Sequence, residues 1–171
     1  MIRIFDTNNS KQWDEVVKSF SNYDVYYLSG YVKSFQIHGD GNPQLLFYEN
    51  NGLRAIYVYM KRETFISGIY DSITPYGYGG VLFEGDISTE KLNAFWNDYV
   101  QKMNEENIID NFVRYHPMIF NAIPMKEISN VIDLGKTIAM DLSSPEIIWE
   151  NIHSKNRNMI RKAEKNGIEI H

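Results

Sequence analysis

The apolar residues of this chain change their spacing several times, and the order of these changes limits the folds that the chain can form. Spacings of three and four residues predict a helix after Ser10 and a longer helix after Ser88. A further helix is predicted between Ser29 and Gly39, because serine favours the start of a helix and glycine its end. These helices are separated by segments with a different pattern.

Strand-like segments lie between and after the predicted helices. Residues 49–52, with two Asn and a Gly, separate two apolar runs and predict a hairpin. Strands are predicted at residues 2–5, 45–48, 55–60, 65–73, 108–115, 131–134 and 137–142. With one more helix and strand at the C-terminal end, the order is β-α-α-β-β-β-α-β-β-β-α-β. This order favours an α/β (α+β) protein with a mixed sheet flanked by helices.

The C-terminal segment combines a predicted helix with most of the clustered positive charge. Pro145 favours the first helical position, Gly167 closes the helix after about residue 165, and residues 168–171 begin a strand. The 171 residues carry a net charge of −5, but residues 155–171 alone carry +3. The cations fit either a solvated helix face or one site for a phosphate or diphosphate.

Composition excludes several classes of protein. Hydrophobic residues make up 43% and charged residues 23%, which is typical of a globular protein. The absence of cysteine excludes disulfides and thiolate metal sites, and no two histidines have metal-ligand spacing. We expect no metal site. No apolar run is long enough for a signal peptide or a membrane helix, so we expect a cytoplasmic protein without a membrane span.

Two segments predict sites in addition to the basic helix. In residues 74–80, a proline precedes tyrosines that alternate with glycines, which suits either a ligand that approaches the backbone or a packed structural loop. Arg114 and His116 lie at the end of a predicted strand, where ligands often bind, although Arg114 would equally suit an ion pair.

Three motifs occur in a fixed order along the chain. They are Asp71-x-x-Thr74-Pro75-Tyr76-Gly77-Tyr78-Gly79-Gly80, then Phe112-Val113-Arg114-Tyr115-His116-Pro117, then Lys155-x-Arg157-x-x-Ile160-Arg161-Lys162-Ala163-x-Lys165-x-Gly167. Together they resemble the Fem-type aminoacyltransferases of peptidoglycan bridge synthesis. The resemblance implies a GNAT-like fold present as two tandem lobes. Residues 1–144 would form the first lobe, and residues 145–171 the connecting helix and first strand of the second.

The resemblance also implies an activity and a set of site residues. The family transfers an aminoacyl group from aminoacyl-tRNA to a stem-peptide amine of a peptidoglycan precursor, either lipid II or UDP-MurNAc-pentapeptide, without a metal or organic cofactor. The implied substrate-binding residues are Tyr76, Gly77, Tyr78, Gly79, Arg114 and His116. The implied phosphate-binding residues are Lys33, Arg157, Arg161, Lys162 and Lys165. The catalytic residue is not identified.

The resemblance covers only the acceptor-side lobe, and other functions stay open. We expect a truncated chain that is inactive alone, with tRNA contacts in the missing second lobe and with peripheral membrane contact left open. One alternative is a coenzyme A-dependent N-acyltransferase, which the absence of a basic-x-x-G-x-G/A loop disfavours. Another is a non-catalytic module whose basic helix binds RNA or a protein partner.

Overall fold

The computed structural model describes residues 1–170, which form a mixed α/β fold. Within these residues the strands are β1 (Ile2–Asp6), β2 (Asn42–Asn50), β3 (Leu53–Glu63), β4 (Tyr70–Ile73), β5 (Leu82–Gly85) and β6 (Ile108–Phe112). The helices are α1 (Ser10–Lys18), α2 (Ser29–His38), α3 (Thr89–Glu105), α4 (Ala122–Met125), α5 (Pro145–Asn151) and α6 (Ser154–Lys165). The chain divides into two compact units, Met1–Ile132 and Asp133–His171. The predicted lobe boundary at residue 144 stays a prediction.

The first unit contains one mixed sheet in the order β1-β2-β3-β4-β6, with β5 also paired to β3. All neighbours are antiparallel except β4 and β6, which are parallel. β5 pairs with the start of β3, at 53–56, and β4 pairs with its end, at 60–63. The segment at 74–81 therefore joins two strands that share one edge of β3.

Helices pack against both faces of this sheet, which explains the continuous apolar runs of its central strands. In β3, Ala55, Tyr57 and Tyr59 join a core with Phe95 and Tyr99 of α3. The alternate residues Ile56, Val58 and Met60 join a second core on the opposite face, with Trp13 of α1 and Val32 of α2. A strand that is buried on both faces needs apolar side chains at successive positions.

Local sequence signals account for several boundaries. Asn51 and Gly52 have φ values of 47° and 83°, so two residues of positive φ connect β2 to β3, as the hairpin pattern predicts. α2 ends at Gly39, whose φ is 99°. Asp40 N donates to Phe35 O at 3.0 Å and Gly39 N to Gln36 O at 3.2 Å, the paired bonds of a glycine-terminated helix.

The structure corrects three predictions in the second half of the chain. The strands predicted at 131–134 and 137–142 are wrong, because these described residues adopt no regular secondary structure. An alternating pattern forms a strand only where another strand pairs with it. The single helix predicted from Pro145 to Lys165 is also wrong, because the extended backbone of Ile152, with ψ of 129°, separates α5 from α6. Of the strand predicted at 168–171, residues 168–170 are not a strand, and His171 lies outside the described residues.

In the second unit, polar caps define both helices. The Ser144 hydroxyl accepts from Ile147 N at 3.2 Å at the start of α5, and His153 Nδ1 accepts from Lys155 N at 3.3 Å at the start of α6. Gly167, with φ of 69°, follows the end of α6, as the sequence predicts.

Candidate functional site

Backbone hydrogen bonds attach both ends of the turn at 74–80 to the chain that follows β6. Thr74 N donates to Phe112 O at 3.1 Å, and Gly79 N donates to Arg114 O at 2.8 Å. His116 N then donates to Gly79 O at 3.2 Å. The parallel pairing of β4 and β6 thus resumes beyond the turn, and it brings two of the sequence motifs to the same end of the sheet.

Close packing explains two glycines of this turn. Gly80 has a φ of 99°, and a Cβ at this position would lie 2.6 Å from Cδ1 of Tyr115. A Cβ at Gly77 would lie 3.0 Å from the ring of Tyr26. Contacts within the protein and the positive φ therefore require glycine at position 80, and the Tyr26 ring leaves little room for a side chain at position 77, whether or not a ligand approaches the backbone.

Asn121 is a buried polar residue that connects the turn to its surroundings. Its side-chain oxygen accepts from His116 N at 3.2 Å. Its amide nitrogen donates to Gly79 O at 2.8 Å and to the Tyr27 hydroxyl at 3.1 Å. The Tyr27 hydroxyl in turn donates to Gly80 O at 3.1 Å, and burial raises the pKa of Tyr27 far above its ordinary value. Sequence reasoning missed Asn121, which lies outside all three motifs.

Both ring nitrogens of His116 are occupied. Nδ1 accepts from Met118 N at 3.1 Å, so the proton of the neutral ring lies on Nε2. Nε2 lies 3.1 Å from Oδ2 of Asp24 and donates a hydrogen bond to it. The His116 side chain is only 8% exposed. These contacts suit a residue that holds two segments together, and they leave neither nitrogen available for a substrate proton.

An aromatic cluster surrounds His116. The centroid of the Tyr26 ring lies 5.2 Å from that of Tyr31, 6.0 Å from that of Tyr78 and 5.9 Å from that of His116. The Tyr31 hydroxyl donates to Tyr76 O, and burial raises the pKa of Tyr31. Tyr78 and His116 are thus packed against neighbouring rings, whereas Tyr76 is 72% exposed.

An open groove of about 650 Å³ lies beside this cluster, wholly within the first unit. One side is formed by the end of α2 and the turn that follows it, at 39–42, and the other by residues 74–76. Apolar side chains in the groove come from α2, from the central strands and from β6. They are Phe35, Met60, Ile73 and Phe112. Arg114 lies at the β6 end, so the groove combines two of the predicted site residues, Tyr76 and Arg114.

The cations of the groove differ in their partners. Arg62 forms two hydrogen bonds with the Asp71 carboxylate, at 2.8 and 2.7 Å, which raise the pKa of Arg62. Lys61 Nζ lies 2.9 Å from Glu106 Oε2. By contrast, the Arg114 guanidinium is exposed and has no hydrogen-bond or ion-pair partner among residues 1–170. Arg114 is therefore the groove cation that is available to a ligand anion.

The predicted phosphate ligand Lys33 does not line this groove. It lines a neighbouring depression of about 550 Å³, together with Thr7 and Gln36. The two depressions share Asn42 and Lys61. A ligand in the groove would therefore need to extend past these residues to reach Lys33.

The remaining predicted phosphate ligands belong to the second unit. Arg157 Nη1 donates to the carbonyl oxygens of Trp149, at 3.2 Å, and Glu150, at 3.0 Å, and so caps the end of α5. The Arg161 guanidinium lies 5.2 Å from the Trp149 ring centroid. Lys162 and Lys165 are exposed, and the described residues provide no ion-pair partner for either. Phosphate binding by these residues stays a prediction.

Within residues 1–170 there is no group of three or more His, Asp or Glu side chains that could hold a metal ion. In the same part of the chain, no helix has both the length and the apolar character needed to cross a membrane. Comparisons with protein-family models, curated proteins and solved structures find no match to this chain.

Proposed function

We propose that this chain is the acceptor-binding part of a Fem-type aminoacyltransferase with a GNAT-like fold. The enzyme would transfer an aminoacyl group from aminoacyl-tRNA to the stem-peptide amine of a peptidoglycan precursor, either lipid II or UDP-MurNAc-pentapeptide. One observation carries this proposal: the unpaired Arg114 guanidinium lies in an open groove beside the exposed Tyr76.

The groove has the chemistry that an anionic peptide ligand requires. A guanidinium forms paired hydrogen bonds with a carboxylate, and the stem peptide carries carboxylates. The apolar side chains of Met60, Ile73 and Phe112 would contact its aliphatic parts. A mixed sheet with helices on both faces is compatible with the proposed fold.

The transfer step requires a deprotonated amine and stabilisation of the oxyanion that develops at the acyl carbon. The proposal gives the groove a binding and orienting role. It gives His116 a positioning role, because Asp24 and Met118 N occupy its two ring nitrogens. No catalytic base is assigned in the first unit.

Calorimetric titration with UDP-MurNAc-pentapeptide tests the proposal. The unsubstituted chain should bind this precursor. Arg114→Gln should weaken binding by about tenfold, which corresponds to the loss of one charge-assisted contact. Lys18→Gln is the matched control, because Lys18 is exposed and does not line the groove. Equal affinities of the chain and the Arg114→Gln variant would refute the assignment.

Parallel titrations with acetyl-coenzyme A and tRNA separate the alternatives. Binding of acetyl-coenzyme A but not of the precursor would favour the coenzyme A-dependent transferase. Binding of tRNA alone, with a steep dependence on salt, would favour an RNA-binding module, for which the exposed Lys162 and Lys165 are the supporting observation.

A further inference from the structure

The turn between β3 and β4 presents two adjacent apolar side chains to solvent. Phe65 is 98% exposed, the highest value for a large apolar side chain in the first unit, and Ile66 is 50% exposed. The other residues of this hairpin tip, defined as 64–69, are threonine, serine, glycine and isoleucine, so the tip carries no charge. Single exposed apolar side chains are common, but here two neighbours share a tip that lacks any charged residue.

Hydrogen bonds within the hairpin fix the shape of the tip. Thr64 N donates to Ile69 O at 2.9 Å, and Ile69 N donates to Ile66 O at 3.1 Å. Ile66 N donates to the Thr64 hydroxyl oxygen at 3.2 Å, and Gly68 N donates to Glu63 Oε1 at 3.2 Å. The exposure of the two apolar side chains is therefore a fixed feature of the hairpin.

The same bonds prepare the tip for apolar surroundings. A backbone N–H group that leaves water without another partner costs several kcal/mol in a lipid environment. The amides of residues 64, 66, 68 and 69 already have partners within the hairpin. Transfer of the tip out of water therefore breaks no hydrogen bond at these four amides.

The charges that flank the tip favour a neutral surface over an anionic one. The nearest preceding cations, Lys61 and Arg62, form ion pairs with Glu106 and Asp71. The exposed Glu63 adjoins the tip, and the whole chain carries a net charge of −5. An anionic membrane or an acidic partner would therefore find no free cation in the tip or the three residues before it.

The apolar area of the tip is small for a protein partner. Phe65 and the exposed half of Ile66 offer about 300 Å² of apolar surface. A stable protein interface buries about 800 Å² on each partner. A bilayer has no such minimum, because a few apolar side chains can enter its interfacial region without a complementary surface.

From these observations we infer that the hairpin tip is a membrane contact, which places Phe65 and Ile66 in the interfacial region of a zwitterionic lipid bilayer. Apolar side chains at such a contact enter the bilayer by about 5–10 Å. Glu63 precedes the tip and lines the groove, so the contact would bring this end of the groove close to the membrane surface. The inference goes beyond the proposed function and does not depend on it, because it requires no ligand in the groove.

Flotation with phosphatidylcholine vesicles tests the inference. The unsubstituted chain should float with the vesicles, and Phe65→Ser should lower its partition coefficient by about tenfold, because removal of an aromatic side chain from water is worth at least one tenfold step. The melting temperature of Phe65→Ser should not change, because the ring is exposed.

Ile87→Ser is the matched control. Ile87 is 48% exposed, like Ile66, but it lies at the opposite end of β3. Its neighbour Asp86 donates through its backbone N to Gly52 O at 3.0 Å, just before β3 begins, whereas the tip follows the end of β3. Ile87→Ser should therefore float like the unsubstituted chain.

A tryptophan at the tip measures insertion directly. The chain has three tryptophans, so the spectrum of the unsubstituted chain is subtracted from that of Phe65→Trp. The remaining emission should shift to shorter wavelength with vesicles and should be quenched by brominated phosphatidylcholine. Ile87→Trp should show neither change.

Three results would overturn the inference. The first is that the unsubstituted chain does not float with phosphatidylcholine vesicles; if Phe65→Ser also abolished self-association in sedimentation velocity, the tip would contact a second copy of the chain. The second is equal flotation of Phe65→Ser and the unsubstituted chain. The third is vesicle binding that requires phosphatidylserine and is unchanged in Phe65→Ser, which would assign the contact to surface cations elsewhere.

Discussion

Replacement of Asn121 by alanine should release the turn at 74–80 from the segment that follows β6. The Asn121 side chain is buried and forms three hydrogen bonds, to His116 N, Gly79 O and the Tyr27 hydroxyl. All three are lost in Asn121→Ala. Each partner keeps a second bond, because His116 N and Gly79 O still pair with each other and Tyr27 still donates to Gly80 O.

The expected loss of stability follows from the number of hydrogen bonds that the substitution removes. No buried group is left without a partner, so each lost bond costs its net contribution of about 1 kcal/mol, and the free energy of unfolding should fall by about 3 kcal/mol. For a domain of this size, such a loss lowers the melting temperature by about 6–12 °C.

Calorimetry and urea titration of Asn121→Ala, Tyr27→Phe and the double variant measure this effect. The sum of the stability losses in the two single variants should exceed the loss in the double variant by about 1 kcal/mol. The reason is that each single variant removes the hydrogen bond between these two side chains, so the sum counts this bond twice. A loss below 1 kcal/mol for Asn121→Ala, or strictly additive losses, would refute the role given to Asn121.

Three further predictions concern other contacts. Gly80→Ala should cost about 2 kcal/mol more than Gly68→Ala, because both glycines have positive φ but only Gly80 would place its Cβ against Tyr115; equal costs in urea titrations would contradict the packing argument. Lys102 and Lys61 lower the pKa of Glu106. The contribution of these two ion pairs to the free energy of unfolding is therefore fully present above pH 4.5, the ordinary pKa of this side chain, and is lost as the pH falls through the lowered pKa. Melting curves of Glu106→Gln should therefore depend less on pH between 5 and 3 than those of the unsubstituted chain, and parallel curves would contradict this. Arg157→Gln should speed amide exchange at the end of α5, where the arginine caps two carbonyls, and unchanged exchange there would exclude the capping role.

Sequence patterns predicted the elements whose signals are local. The glycine that ends α2 and the Asn-Gly hairpin before β3 act through neighbouring backbone atoms, so their structures follow from a few residues. The predicted serine cap of α2 is not formed, because α2 begins at Ser29 without a side-chain capping hydrogen bond. At residues 131–142, by contrast, the predicted strands do not form. The alternating apolar residues of this segment resemble a strand, but strand formation also requires a partner that a one-dimensional pattern cannot reveal.

The candidate site was predictable only in part. Arg114 and Tyr76 belong to motifs with unusual local composition, and the parallel pairing of β4 and β6 brings these motifs together. Asp24 and Asn121 were missed, because an isolated acid and an isolated amide acquire their roles only through contacts in the fold. The contact between Asp24 and His116 joins residues 92 positions apart.

The most direct measurement is a crystal structure of the chain with UDP-MurNAc-pentapeptide bound. The account predicts that the peptide lies in the groove between the end of α2 and the chain beyond β6. A peptide carboxylate should then be within hydrogen-bonding distance of the Arg114 guanidinium. A precursor that is bound elsewhere, with Arg114 still uncontacted, would contradict the central claim.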